Sequence, residues 1–269
     1  TLYQLDTSLQ SPLMIAFFTT IGVNASLSLL KVSGRQVLVF LLLASGFAVL
    51  QNLVGIAVAK VFGLHPMFGV LAGSATLTGG PATGLAFAPL FEAAGLQGAE
   101  SLAVTAAMAG IVMGGVAGGP VITVLLRRFH VVNPNAGWQA PTPVADLATG
   151  QAVHVESDAQ REFQALKSII LILVAMWAGS WLGKGFDAIG LTLPAYIGAM
   201  LVGALLRNID DFTGWLRMSV HTIELIGNVC LALFLAVALM NLRLWELAGM
   251  GLPLVVNLVI QVALVALFA

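Results

Sequence analysis

The chain has 269 residues, of which 59% are hydrophobic and only 9% charged, with a formal net charge of -1. Soluble domains carry about 25% charged residues. A mean hydropathy of +1.00 therefore excludes an ordinary soluble core and points to an all-α polytopic membrane protein.

Crossing about 30 Å of hydrocarbon takes roughly 20 apolar residues, and uncharged runs of that order occur in series. Residues 7–30 and 36–59 read as two spans, 61–91 as an interrupted segment, and 101–126 as a further span. Together, residues 1–126 read as a first membrane repeat. Residues 127–167 hold Pro134, Pro141, Pro143 and scattered charges, which marks a linker loop. Its end, from Arg161 to Lys167, continues as helix into the next span. Residues 168–269 form an incomplete second repeat, with runs at 168–183, 188–206, 225–242 and 247–269.

The interrupted segment is the informative one. No Asp, Glu, Lys or Arg occurs from Val61 through Phe91, yet residues 73–84 (GSATLTGGPATG) carry three Thr, one Ser, four Gly and one Pro. Gly and Pro disfavour a continuous helix. The backbone groups they free are tolerated at membrane depth only where protein buries them or a wet cavity solvates them. Broken helices of this kind build substrate and ion sites in secondary transporters.

Positive charges flanking the spans orient them. Arg127, Arg128, Arg161 and Lys167 place the linker in the cytoplasm, and Lys31 and Arg35 ask for the same side. Passing from cytoplasm to cytoplasm takes an even number of crossings. Residues 36–59 and 101–126 supply two, so 61–91 supplies none or two. A re-entrant hairpin that returns to the outer side satisfies this, with Lys60 left outside. The same parity puts Arg207, Asp210, Asp211 and Arg217 inside. An echo between IAFF at 15–18 and LALF at 231–234, each followed by Asn24 or Asn241, runs in opposite directions, as inverted repeats do. The implied offset places the partner of the broken helix past Ala269, so the second hairpin is expected to be missing.

Asn24, Gln51, Asn52, Asn228, Asn241, Asn257 and Gln261 lie within uncharged runs. Amides there ordinarily bond across to another helix. Asn24 stands out because it follows Thr19, Thr20 and Gly22, and Asn228 because it adjoins Gly227. The four histidines sit near span ends without HExxH or another metal spacing. Ser74 has no intramembrane His, Lys or Asp to activate it, and no phosphate loop follows Gly79 and Gly80. Enzymatic chemistry is therefore not expected. Cys230 lies in an apolar run, where packing is the expectation.

The motifs PLMIAFFTTIGVNA at 12–25, GVLAGSATLTGG at 69–80, GGVAGGP at 114–120, IGNVCLALFLAVALM at 226–240 and LWEL at 244–247 resemble the bacterial sodium/glutamate symporters. The resemblance implies an inverted-repeat, elevator-type transporter of the bacterial cytoplasmic membrane. It further implies a homodimer in the lipid bilayer, with Na⁺ as coupling ion, L-glutamate or a related anion as cargo, and no nucleic-acid partner. Ser74, Thr76, Thr78, Gly79, Gly80, Thr83 and Gly84 would then hold substrate, and Asn24, Thr78 and Asn228 would hold Na⁺. Where that family continues with Gly-Gly-His-Gly-Thr-Gly, this chain has Pro81 and Ala82 in place of His-Gly. The change leaves another amino acid or a dicarboxylate as an alternative cargo, and a non-transporting membrane scaffold as an alternative role.

Overall fold

The computed structural model describes residues 7–128 and 158–268, apart from 192, 241 and 248. Most of the expected linker lies outside these residues. Every regular element among the described residues is helical. They are α1 (Gln10–Val23), α2 (Leu27–Val61), α3 (Pro66–Val70), a π-helical turn (Leu71–Ala75), α4 (Gly80–Ala93) and α5 (Ala99–Arg128). There follow α6 (Asp158–Ala188), α7 (Tyr196–Thr213), α8 (Val220–Met240), a 3₁₀ turn (Leu244–Leu247) and α9 (Gly251–Phe268). Five helices are long and apolar enough to cross a membrane: Gly34–Val61 of α2, α5, Glu162–Ala188 of α6, α8 and α9.

Helix ends follow local chemistry. The exception is the end of α1 at Val23, where residues 24–26 form a turn before Leu27 opens α2. Gly63 (φ +68) ends α2, with its own N–H on the Lys60 carbonyl and the Leu64 N–H on that of Ala59. Gly95 (φ +102) ends α4 in the same way, through Glu92 and Phe91. Only a residue without Cβ takes this left-handed turn cheaply. Pro66 then supplies the first residue of α3, where its missing N–H costs nothing.

Close packing needs missing side chains as well. A Cβ on Gly69 would lie 2.0 Å from the Gly55 carbonyl oxygen, so α3 runs back along α2 backbone to backbone. Leu64 and Phe68, before the break, share one apolar cluster with Ala88, Phe91 and Leu96 after it and with Leu247, and the Arg243 N–H reaches the Ser101 hydroxyl at 3.3 Å.

The α1–α2 turn is pinned to the C-terminal end of α7. Asn208 accepts from the Leu27 N–H at 2.8 Å and donates to the Ala25 carbonyl at 3.0 Å. The Ser26 hydroxyl donates to the Asp211 carboxylate, which also pairs with Arg207 at 3.1 Å. Buried Asp210 accepts the N–H groups of Arg217 and Met218, both at 2.8 Å. It thereby turns the chain from α7 toward α8. α1 packs on both α7 and α8, with Phe18 and Phe234 in one apolar cluster.

Candidate functional site

The segment from Pro66 to Ala93 is helical on either side of a break. At Gly73 the backbone leaves the helical region (φ -112, ψ -123), a turn follows at Thr78 and Gly79, and Gly80 (φ +74) opens α4. Such a break releases carbonyls from the helical ladder, and buried carbonyls need donors. Two are met by side chains. The Thr76 hydroxyl donates to the Leu71 carbonyl at 2.8 Å, and the Asn257 side-chain amide, arriving from α9, donates to the Ala72 carbonyl at 2.8 Å.

Further amides surround the same point. The Ser74 hydroxyl donates to Asn52 Oδ1 at 2.7 Å, and the Thr78 hydroxyl to Gln51 Oε1 at 3.2 Å. Gln261 Nε2 donates to the Gln51 carbonyl at 2.8 Å. Gln51, Asn257 and Gln261 are 1%, 0% and 0% exposed, so the bonds from Asn257 and Gln261 to backbone carbonyls form away from solvent. A Cβ placed on Gly73 would sit 3.5–3.7 Å from Gln261 Nε2, the Gln51 carbonyl oxygen and Asn52 Oδ1. The break is thus lined by polar groups from α2 and α9.

The remaining residues of the segment shape the turn at Thr78 and Gly79. Thr83 Oγ1 donates to the Gly79 carbonyl at 2.7 Å and ties the first turn of α4 to the connecting turn. Gly79 has no room for a side chain, because a Cβ would lie 2.6 Å from the Ala75 carbonyl oxygen. Gly80 faces open space, so its requirement is the left-handed backbone and not a close neighbour. Gly84 seats the hairpin, since a Cβ there would meet Thr76 Cγ2 at 2.7 Å and Ala103 of α5 at 3.0 Å. Thr78 and Gly79 are exposed, whereas Thr76 and Gly84 are buried. A ligand at that turn would therefore reach the first pair directly and the second pair not at all.

Asn24 and Asn228 sit elsewhere in the fold. Asn24 caps α1, with its backbone N–H on the carbonyls of Thr20 and Ile21, and its side chain is exposed. The exposed Asn228 adjoins Gly227, which abuts the Thr20 hydroxyl where α8 meets α1. Neither belongs to the hydrogen-bonded set around Gly73. The Thr19 and Thr20 hydroxyls turn back onto their own helix, to the carbonyls of Ile15 and Phe17, each at 2.7 Å.

Sequence reasoning treats Gln51, Asn52, Asn257 and Gln261 as ordinary interhelical amides, but the structure gathers all four around one break. One signal was available. Asn257 and Gln261 lie four residues apart in an uncharged run, the spacing that puts both on one helix face. Among the described residues, no group of three or more His, Cys, Asp or Glu is placed to hold a metal ion. A hard cation here would rely on neutral oxygens.

Comparison with known proteins bears directly on this arrangement. The chain matches the family model described as sodium/glutamate symporter over residues 1–269. It is 38% identical over 268 residues to a protein named sodium/glutamate symporter from Escherichia coli K12, covering 98% of this chain and 65% of that protein. It is 37% identical over 274 residues to the protein of the same name from Haemophilus influenzae Rd, covering 100% of this chain and 66% of the relative. The chain thus spans slightly less than two thirds of the length of these curated relatives. No solved structure matches it significantly.

Proposed function

The chain belongs to the sodium/glutamate symporter family, and on that premise we propose that the protein is a multi-pass carrier of the bacterial cytoplasmic membrane. It couples the entry of L-glutamate, or a similar small anion, to that of Na⁺. The observation that carries the reading is the broken helix at Gly73, set in a stretch free of charged residues, in a chain that matches the family along its whole length.

In this reading the carboxylate of the cargo approaches the N-terminus of α4. Helix geometry leaves the N–H groups of Gly80 and Ala82 without intrahelical partners there, and the helix dipole favours an anion. Pro81 contributes no N–H, so the anion is held by fewer backbone donors than a chain with another residue at that position would offer. Ser74, Thr78, Gly79, Gly80 and Thr83 form the substrate cradle, and buried Thr76 and Gly84 of the expected set hold it from behind. Thr78, Asn24 and Asn228 supply oxygens to Na⁺. Transport follows an elevator movement within a homodimer.

Several contacts support the re-entrant and inverted-repeat parts of the reading. The two ends of the 61–96 segment, at Leu64 and Leu96, share an apolar cluster with Leu247, whereas the α1–α2 turn meets Asn208 and Asp211 at the C-terminal end of α7. Both groupings agree with the sides that the flanking positive charges assign. α1 and α8, the two halves of the sequence echo, pack together and run in opposite directions, with Thr20 against Gly227 and Val23 clustered with Ile223.

The topology is checked by single-cysteine labelling of the complete protein in sealed cells, in a Cys230→Ser background. A cysteine at Gly95 is expected to react with a membrane-impermeant maleimide, and one at Gly150 is not. Labelling at position 150 alone would reverse the orientation.

The transport reading is tested by uptake of radiolabelled L-glutamate into proteoliposomes holding the complete protein, with an inward Na⁺ or K⁺ gradient. Uptake is expected with Na⁺ only. Thr78→Ala removes the hydroxyl that reaches Gln51 and should raise the half-saturating Na⁺ or glutamate concentration about five-fold, the equivalent of about 1 kcal/mol. Gly80→Ala, which forces a Cβ onto a left-handed backbone, should lower uptake by a similar factor. Wild-type uptake that is indifferent to Na⁺ would refute the symport reading.

A further inference from the structure

We infer that the C-terminal end of α6 is a binding site for the headgroup of phosphatidylethanolamine, with Lys184 on its phosphate, Asp187 on its ammonium and Trp181 beneath them. The inference needs only the membrane span of α6 and is independent of the cargo. From Ser168 to Leu206 the chain has two charged residues, Lys184 and Asp187, three positions apart. They close a helix that is long and apolar enough to cross a membrane from Glu162 to Ala188. Lys167 stands 17 positions before Lys184, about 25 Å along the axis at about 1.5 Å per residue, close to the ~30 Å of hydrocarbon. Lys184 and Asp187 therefore sit at the level where headgroups begin.

Helix periodicity decides which way the tryptophans face. Gly179 lies against α7, where a Cβ would meet Ala199 N and Cα at 2.3 Å. Trp177 and Trp181 are each two positions from Gly179, about 200° round the helix, and so point away from α7. They are 66% and 62% exposed. The two indoles meet edge to face with centroids 6.3 Å apart, and the Lys184 ammonium lies 5.2 Å from the Trp181 ring centroid. Among the described residues neither Lys184 nor Asp187 forms an ion pair, and neither indole N–H has an acceptor. Lys184 is turned back onto a ring, and Asp187 is left without a cation.

Tryptophan and lysine at a span end are characteristic of the membrane interface. An ammonium held over an indole face keeps its N–H groups free for an acceptor, and a phosphodiester is the acceptor that a bilayer supplies at this level. Asp187 decides between lipids. A headgroup of net negative charge, such as phosphatidylglycerol, would meet Lys184 and be repelled by Asp187. Choline carries a cation without N–H groups and cannot donate to a carboxylate. Ethanolamine places an N–H-bearing ammonium beside the phosphate and answers both charges. Toward the bilayer interior, the exposed side chains of Trp177, Val174 and Ile170 continue the face of Trp181 and give an acyl chain its apolar contact.

The test is thermal unfolding of the complete, delipidated protein in dodecyl maltoside, with molar mass followed by light scattering. It is titrated with dioleoyl phosphatidylethanolamine, phosphatidylglycerol or phosphatidylcholine. A ligand of the folded state raises the melting temperature as it fills its site. Wild type is expected to respond to phosphatidylethanolamine at the lowest lipid-to-protein ratio. Lys184→Gln and Asp187→Asn should each raise that half-saturating ratio about three-fold, the scale of exposed charge pairs. Asp187→Asn should also improve the response to phosphatidylglycerol, because the repelling carboxylate is gone. Both side chains are exposed, so both variants are expected to fold. Equal wild-type responses to the three lipids, a preference for phosphatidylglycerol, or an unchanged preference in both variants overturns the site. A second copy of the chain seated on this face would instead show as a molar mass that falls in Trp181→Leu with no lipid preference in wild type, and that result overturns the site as well.

Discussion

Gly69→Ala is expected to abolish transport by the complete protein. A Cβ at Gly69 would sit 2.0 Å from both the carbonyl carbon and oxygen of Gly55 and 2.5 Å from the Ile56 nitrogen. All three are backbone atoms of α2, so no side-chain rotation relieves the clash and the first hairpin arm must move away. Overpacking costs up to about 3 kcal/mol and at times more, roughly a hundred-fold shift against the docked arm. Apolar lipid gives little push to bring helices together, so this contact depends on van der Waals fit. Displacing it would also pull Gly73 away from Gln51, Asn52 and Gln261. Uptake per folded protein should fall at least ten-fold, with a lowered melting temperature. Gly55→Ala meets the Gly69 carbonyl oxygen at 2.2 Å and should behave alike. The double variant should cost less than the sum, because both substitutions strike the same contact. Gly46→Ala lies on the same helix with nothing within 4 Å of its Cβ, and is expected to keep wild-type uptake. Near-normal transport by Gly69→Ala would mean that the arm does not dock on α2 as described.

Gly22→Ala should damage the other side of the molecule. Its Cβ would lie 2.0 Å from the Met200 carbonyl oxygen and 2.8 Å from the carbonyl carbon, where α1 crosses α7. A Cβ on Gly203 of α7 would clash in the same way, 2.6 Å from the Thr19 carbonyl oxygen. Parting α1 from α7 would also strain the anchorage of the α1–α2 turn on Asn208 and Asp211. A cost of about 3 kcal/mol should appear as a lower melting temperature and a lower yield of folded protein. An unchanged melting temperature would show that α1 and α7 are not in backbone contact.

Class and chain order were legible in the residues alone. Apolar runs separated by charges are a one-dimensional signal, because each span satisfies its own backbone and contacts lipid over much of its surface. The break at 73–84 was legible for the same reason, since Gly and Pro act on their own backbone. Helix ends were less so. The run at 7–30 carries no charge, yet α1 stops at Val23, because Asn208 and Asp211 of α7 capture the turn at Ala25–Leu27 from far along the chain. What surrounds the break was decided by tertiary structure only. Gln51 and Asn52 look like any membrane amide, as do Asn257 and Gln261, until α2 and α9 close on the hairpin from either side. Their meaning depends on which carbonyl each nitrogen finds. That follows from backbone contacts such as Gly55 on Gly69, which bring together residues some 200 positions apart in sequence.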